Sequence, residues 1–216
     1  MDKEDVISRI VECGVVPVIR ATSRDEAITV IDAIAAGGID CIEVTMTVPG
    51  AVDLISELSG RGDKLIIGAG SVLDAETARE CISAGASFMV SPATDLDTIQ
   101  YCNESEIAVL PGALTPTEIL NAWEAGADLV KVFPANALGG PSYLRSLKAP
   151  LPHIRLVPTG GISQQNAADF IRAGAEAIGV GADLVNLEAV RGRKAGDITM
   201  AAKRYREIIA EARSGR

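Results

Sequence analysis

Short runs of β-branched and aliphatic residues alternate with helical patterns along the whole chain of 216 residues. In the helical stretches apolar residues recur with the spacing of one helix face, as at Ala27, Val30, Ile31 and Ile34. The alternation predicts eight strands, at residues 15–20, 40–45, 64–70, 87–92, 108–113, 129–134, 154–159 and 177–181.

Local signals mark the ends of the predicted helices. Side chains that cap helix N-termini stand at four of the predicted starts, namely Ser23, Asp74, Thr115 and Ser163. An Ala-Gly pair precedes four of the strands, and a glycine that ends a helix accepts a positive φ there. These glycines are Gly37, Gly85, Gly126 and Gly174. Their near-regular spacing fits about two strand–helix units per repeat.

Strands that alternate with helices predict parallel pairing with right-handed crossovers. Eight such units predict a fold of class α/β, a closed (β/α)8 TIM barrel with eight parallel strands, formed by residues 1–216 as one domain. The amphipathic start "MDKEDVISRIVECG" predicts an extra N-terminal helix. An open doubly wound sheet is the alternative, but "IRATSR" follows the first strand instead of a G-x-G-x-x-G motif. In a barrel, functional residues lie where strands end.

The charge balance narrows the classes of partner. The net charge is −9 at pH 7, which argues against binding to nucleic acid or to an anionic membrane. The four cysteines are widely spaced and predict buried thiols in a reducing compartment. The start of the chain is not that of a secretory signal, and no apolar run is long enough to cross a bilayer. These features predict a cytoplasmic protein.

Lys131 stands in the middle of the run "LVKVFP", where a buried strand is expected. Strand alternation places Lys131 and Phe133 on one face and two valines on the other, so Lys131 points into the barrel if the valines meet the helices. Desolvation there favours the neutral amine, a nucleophile that can form an imine with a ketone. The alternatives are a lysine paired with a core carboxylate and one that extends past the strand end.

Glu43 brings a carboxylate to the same interior. In "DCIEVT" the side chains of Cys41, Glu43 and Thr45 share the face opposite the apolar pair. Retro-aldol cleavage through an imine needs an amine as electron sink and a carboxylate that moves protons. The alternative is a buried Glu43–Lys131 ion pair without a catalytic task, although apolar residues in place of such a pair are often neutral or stabilising.

Strand ends supply the predicted substrate-binding groups. Arg20 ends the first strand and can bind a substrate carboxylate in a bidentate manner, although a surface arginine would look the same. The motif "VPTGGI" ends the seventh strand, where glycine amides can bind a phosphate without a cationic side chain, or simply form a tight turn. The predicted substrate-binding set is Arg20, Thr45, Ser71, Pro92, Phe133, Thr159, Gly160, Gly161, Gly181 and Ala182. No metal and no cofactor are predicted, because no His, Cys and Asp cluster has ligand spacing.

Six motifs follow one another along the chain: "GGIDCIEVT", "GAGSV", "FMVSPATD", "LPGALTPTE", "LVKVFPA" and "VPTGGI". In this order and spacing they closely resemble the 2-keto-3-deoxy-6-phosphogluconate / 4-hydroxy-2-oxoglutarate aldolases over nearly the whole chain. The resemblance implies a homotrimeric class I barrel that cleaves a phosphorylated keto acid to pyruvate and glyceraldehyde 3-phosphate without a cofactor. It matches Lys131 to the imine-forming lysine and Glu43 to the proton-transferring carboxylate.

Three positions depart from the family pattern. Thr47 stands where many members hold an arginine for the substrate carboxylate, and Arg20 is the substitute that barrel geometry favours. Ser71 replaces a threonine and keeps the hydroxyl. Ala182 stands where a serine often follows the last phosphate-binding glycine, so one phosphate hydrogen bond is lost and the preference among keto acids stays open.

Several functions remain open at this point. The galactonate epimer, keto-deoxy acids without a phosphate, and 4-hydroxy-2-oxoglutarate are alternative substrates. A phosphosugar isomerase or epimerase would share the phosphate site but would not need an amine nucleophile. A catalytically silent barrel that binds anionic metabolites is the third possibility, and the presence of both Lys131 and Glu43 argues against it.

Overall fold

The computed structural model describes residues 1–62 and 64–215. The strands in this part of the chain are short, and most are preceded and followed by a helix. They are β1 (Val15–Ile19), β2 (Cys41–Thr45), β3 (Ile66–Gly70), β4 (Phe88–Val90), β5 (Ala108–Leu110), β6 (Gly112–Ala113), β7 (Val130–Val132), β8 (Leu156–Pro158) and β9 (Ile178–Val180).

The helices separate almost all of these strands and cover them. They are α1 (Lys3–Cys13), α2 (Arg24–Ala36), α3 (Ala51–Ser59), α4 (Ala75–Ser83), α5 (Leu96–Glu104), α6 (Pro116–Glu124), α7 (Pro141–Lys148), α8 (Ala167–Arg172), α9 (Leu187–Arg191) and α10 (Ala195–Ser214). Within residues 1–62 and 64–215, no helix combines the length and the apolar character that crossing a bilayer requires.

The strands form two parallel sheets instead of one closed sheet. The larger sheet has six strands in the order β5-β4-β3-β2-β1-β9, and the smaller has three in the order β6-β7-β8. Every registered strand pair is parallel. The prediction of a closed eight-stranded (β/α)8 barrel is therefore wrong, because the ladder of backbone hydrogen bonds is interrupted at two places in the described chain.

Pro111 causes the first interruption. It divides the predicted fifth strand into β5, which pairs with β4, and β6, which pairs with β7. A proline has no N–H to donate to a ladder, so a continuous strand is not expected to pass through it. The carbonyl of Pro111 accepts instead from the amide of Lys131, at 2.9 Å. The chain thus passes from the larger sheet to the smaller one at this residue.

The second interruption lies between β8 and β9. These strands meet only through isolated bridges, Leu156 with Ala175 and Thr159 with Gly179. Both strands have three residues, which leaves little length for a ladder. Gly179 permits the close approach, because a Cβ on it would lie 2.1 Å from Oγ1 of Thr159.

The signals for helix starts are mostly confirmed. Ser23, Asp74 and Thr115 are N-caps whose side chains accept backbone N–H groups of the first turn. The prediction for Ser163 is wrong, because α8 begins later, with Asn166 as its N-cap. Ser163 donates its amide to the Asn166 side chain at 2.9 Å, so the loop after β8 is longer than the local pattern indicated.

The glycines that end helices follow the repeat with one exception. Gly85, Gly126 and Gly174 have φ values of 98°, 100° and 105°. Gly37 has φ −85°, and the left-handed residue after α2 is Gly38. The Ala-Gly repeat therefore predicted three of the four helix ends at the correct residue.

Helix α1 is the extra N-terminal helix that the amphipathic start predicted, and it lies across the amino-terminal ends of several strands. Lys3 pairs with Asp128, just before β7, at 3.0 Å. Arg9 pairs with Asp40, just before β2, at 2.5 Å and donates to the carbonyl of Lys64, near the start of β3, at 2.7 Å. The opposite ends of these strands carry the predicted functional residues.

Candidate active site

Lys131 and Glu43 face each other in the interior. Lys131 belongs to β7 in the smaller sheet and Glu43 to β2 in the larger one, and their residues are only 4% and 2% exposed. Nζ of Lys131 lies 3.8 Å from Oε1 of Glu43, which is too long for a hydrogen bond. Oε1 has no hydrogen-bond partner among the described residues. A carboxylate oxygen without a hydrogen-bond donor therefore lies next to the amine.

Burial dominates the electrostatics of Glu43. Desolvation raises the pKa of its carboxyl above the ordinary value, and the positive charges of Lys131 and Arg20 oppose that rise. The carboxyl consequently favours holding a proton, which suits a general acid. Burial thus works against the ionised carboxylate that the sequence analysis assumed at this position.

A glycine makes room for the carboxylate. Gly70 is the last residue of β3 and pairs with Thr45. A Cβ on Gly70 would lie 2.1 Å from Oε1 of Glu43, so any larger residue would displace the side chain. Ser71 follows directly and has φ 59°, a left-handed conformation that is uncommon outside glycine. Strained backbone of this kind is frequent next to functional sites.

Arg20 follows β1 and is tied indirectly to the end of β2. The Thr45 hydroxyl donates to the carbonyl of Ile19 at 2.8 Å. Because that donation uses the only hydroxyl proton of Thr45, the contact of 2.6 Å between Thr45 and Thr47 must have Thr47 as its donor. Thr45 is fully buried and its proton is not available to a substrate. Its hydroxyl instead fixes the backbone next to Arg20.

A pocket of about 430 Å³ opens beside Arg20. Seven of the predicted substrate-binding residues line it, namely Arg20, Phe133, Thr159, Gly160, Gly161, Gly181 and Ala182. Gly160 and Gly161 adopt φ values of 101° and 70°, which a residue with a side chain adopts only rarely. Phe133 connects the pocket to the buried pair, because Nζ of Lys131 lies 5.3 Å from the centre of its ring.

The other predicted residues lie outside this pocket. Pro92 lines a second cavity of about 250 Å³, which shares Phe133 with the first. Thr45 and Ser71 line neither cavity, and neither do the buried residues Lys131 and Glu43.

Sequence reasoning missed Asp183 and the role of Gly70. Asp183 lines the larger pocket, and its carboxylate accepts from the Tyr205 hydroxyl at 2.5 Å and from the amide of Gln164 at 3.3 Å. It stands three residues after the end of β9, a position that could have indicated a site residue. Gly70 carried a weaker signal, a glycine inside a strand pattern, which often marks a close approach of other groups.

Comparisons with known proteins identify the family of this chain. Residues 6–201 match the family model described as KDPG and KHG aldolase. A 2-dehydro-3-deoxy-phosphogluconate aldolase of Pseudomonas aeruginosa is 38% identical over 74% of this chain and 73% of the relative. A 2-dehydro-3-deoxy-6-phosphogalactonate aldolase of Escherichia coli is 33% identical over 90% of this chain and 95% of the relative.

A solved structure has the same fold. The KDPG aldolase of Legionella pneumophila, with pyruvate captured as a covalent carbinolamine, superposes with a TM-score of 0.85 at 28% identity, over 92% of this chain and 96% of that one. The protein is thus an aldolase, a lyase that breaks a carbon–carbon bond. The chain belongs to the KDPG and KHG aldolase family.

Removing both charges tests how the buried pair affects the stability of the folded protein. We expect the double variant Lys131→Met/Glu43→Gln to be as stable as the wild type or more stable, by up to about 4 kcal/mol, because neither charge then has to be desolvated. The pKa of the Glu43 carboxyl is higher in the folded protein than its ordinary value of 4.5. Ionisation of this buried group therefore lowers the free energy of unfolding of the wild type as pH rises above 4.5. The advantage of the double variant should therefore grow with pH.

Urea unfolding from about pH 5 to about pH 8 measures this difference. The single variant Lys131→Met serves as the matched control, since it leaves Glu43 buried without its main cation and should lose the most stability at high pH. A double variant that is clearly less stable than the wild type would show that the pair is retained for stability.

Proposed function

We propose that this aldolase, as one domain over residues 1–216, cleaves 2-dehydro-3-deoxy-6-phosphogluconate to pyruvate and glyceraldehyde 3-phosphate through an imine on Lys131. The observation that carries the proposal is the buried amine 3.8 Å from an unpartnered carboxylate oxygen. A relative named for this reaction and a related structure with a covalent pyruvate adduct support it.

In the proposed mechanism the amine of Lys131 adds to the C2 ketone. Glu43 protonates the hydroxyl of the carbinolamine, which leaves as water and gives the protonated imine. The Glu43 carboxylate then takes the proton of the C4 hydroxyl while the C3–C4 bond breaks, and the electron pair moves into the imine to form an enamine. Glu43 returns the proton to C3, and hydrolysis of the pyruvate imine restores the amine.

The two ends of the substrate need separate binding groups. We propose that Arg20 binds the carboxylate, because it lines the pocket and its charge reaches Glu43. The glycine-rich segment around Gly160, Gly161 and Gly181 would bind the phosphate through backbone amides. The pocket of about 430 Å³ is in the range of pockets that bind small molecules.

The test of the mechanism is the variant Lys131→Met. It should lose turnover by more than about 10⁴-fold and should not be labelled by pyruvate and borohydride, because both need the amine. Glu43→Gln should lower kcat by about 10²- to 10⁴-fold. Lys203→Met, at an exposed position on α10, is the matched control and should be labelled and active like the wild type.

Retained cleavage in Lys131→Met would exclude the imine mechanism. The same assay on the C4 epimer, 2-dehydro-3-deoxy-6-phosphogalactonate, tests the second candidate substrate, for which the Escherichia coli relative is named. A higher kcat/KM for the epimer would change the substrate and leave the mechanism in place.

Thr47 is expected to affect substrate binding indirectly, because its contact with Thr45 helps to fix the backbone next to Arg20. Thr47→Val removes the hydrogen bond to Thr45, and we expect KM to rise about 2- to 10-fold with little change in kcat, since one hydrogen bond contributes about 0.5–1.5 kcal/mol. Thr47→Ser keeps the hydroxyl and should restore the wild-type KM. An equal fall in kcat for both variants would contradict a positioning role.

We also propose a homotrimer in the cytoplasm. Two large apolar side chains are exposed next to neighbouring strands, Leu73 at 65% after β3 and Leu96 at 60% after β4. The double variant Leu73→Glu/Leu96→Glu should lower the mass measured by sedimentation equilibrium from three chains to one. Met200→Glu changes an equally exposed residue on α10 and should leave the trimer intact. A wild-type mass of one chain would exclude the trimer.

A further inference from the structure

Two cysteines and an aspartate meet at the end of the molecule opposite the active site. Cys13 is the last residue of α1, Cys41 is the first residue of β2, and Asp40 precedes it. Their sulfur and carboxylate oxygen atoms all lie within 4.8 Å of one another. Cys13 and Cys41 lie far apart in the sequence, so the absence of ligand spacing along the chain, on which the prediction of no metal rested, does not exclude this cluster.

The distance between one sulfur and the carboxylate oxygen matches that in a metal site. In a tetrahedral zinc site, a thiolate sulfur and a carboxylate oxygen are about 3.6 Å apart, given their usual bond lengths to the metal. Sγ of Cys41 lies 3.6 Å from Oδ1 of Asp40. Thiolates select soft or borderline cations. We propose that Cys13, Asp40 and Cys41 bind one Zn²⁺ or a similar soft divalent cation, with water as the fourth ligand.

Arg9 holds the carboxylate in the orientation that the site needs. Its guanidinium pairs with Oδ2 of Asp40 at 2.5 Å and also donates to the carbonyl of Lys64, so Oδ1 is directed at the thiol. Ligating carboxylates are commonly fixed by such a second contact. The positive charge of Arg9 also balances the excess negative charge that two thiolates and a carboxylate leave on a divalent cation.

The exposure of the three residues gives an ion a route to the sulfurs. Cys13 and Cys41 are 4% and 0% exposed, whereas 41% of the Asp40 side chain is accessible. An ion can therefore bind the carboxylate first and then the thiolates. A buried, partly shielded thiolate pair also slows the loss of the ion.

The other two cysteines have no such surroundings. Cys81 contacts Met46 at 3.6 Å, and neither it nor Cys102 belongs to a group of three ligand-type residues in the described chain. A disulfide between Cys13 and Cys41 is the rival use of the thiols, but it requires a sulfur–sulfur distance of about 2 Å and gives the carboxylate no part. The third ligand-type group therefore favours a metal ion.

The ion would join α1 to the start of β2. Since the cluster forms only in the folded chain, binding should raise the stability of the protein. Glu43 lies two residues further along β2, about 7 Å away along the strand, so the ion would not contact the substrate. The site would thus act on stability and not on the chemical step.

The test uses the full-length chain, freed of metal and kept reduced with a phosphine. Titration with Cd²⁺ should give a near-ultraviolet thiolate-to-metal band that saturates at one ion per chain, and the melting temperature should rise. Cys41→Ser should lose both effects. Cys81→Ser removes the separate sulfur contact with Met46 and is the matched control that should keep both.

Asp40→Asn tests the carboxylate without disturbing a buried position. It should weaken Cd²⁺ binding by about 10-fold or more, while the far-ultraviolet spectrum stays that of the wild type. If Cys41→Ser fails to fold, the Asp40→Asn titration and the protection of the wild-type thiols by Cd²⁺ decide the question. No band in the wild type or an unchanged affinity in Asp40→Asn would overturn the proposal.

Discussion

The rest of the site depends on one constraint, an amine and a carboxyl that share a buried space without a hydrogen bond between them. The distance of 3.8 Å leaves an acceptor atom unsatisfied in the interior, which is unfavourable for stability. The missing side chain of Gly70 is needed to keep that carboxyl in place. Such an arrangement is poorly explained by folding alone, because a closer pair or an apolar one would be at least as stable.

The directions of Lys131 and Glu43 could be predicted because they follow from local geometry. Successive side chains of a strand alternate between its two faces, whatever the strand pairs with. The closure of the sheet could not be predicted in this way, since it depends on hydrogen bonds between strands that are distant in sequence. Pro111 was visible in the sequence, but whether the chain continues in the same sheet beyond it is set by tertiary packing. The prediction that Lys131 and Glu43 face each other was therefore correct, although the prediction of a closed barrel was wrong.

Groups that meet through tertiary structure were missed for the same reason. Cys13 and Cys41 lie close together only because α1 crosses the starts of several strands. The contact between Thr47 and Thr45 depends on the turn after β2. Helix caps, in contrast, use residues three positions apart, and Thr115 formed the complete capping box with Glu118. Prediction failed at Ser163, where the loop after β8 has its own hydrogen bonds.

The position of Arg20 connects substrate binding to the state of Glu43. Two cations, Lys131 and Arg20, oppose the effect of burial on the Glu43 carboxyl. In the proposed binding mode the substrate carboxylate offsets the charge of Arg20, and Lys131 has to give up its extra proton before its amine can add to the ketone. Both steps weaken the positive charges that hold the pKa of Glu43 down against the effect of burial. The pKa of Glu43 is therefore expected to rise further as the reaction starts. In the proposed mechanism the carboxyl holds its proton at the stage where the carbinolamine must lose water, and it becomes a base only after that proton has been transferred.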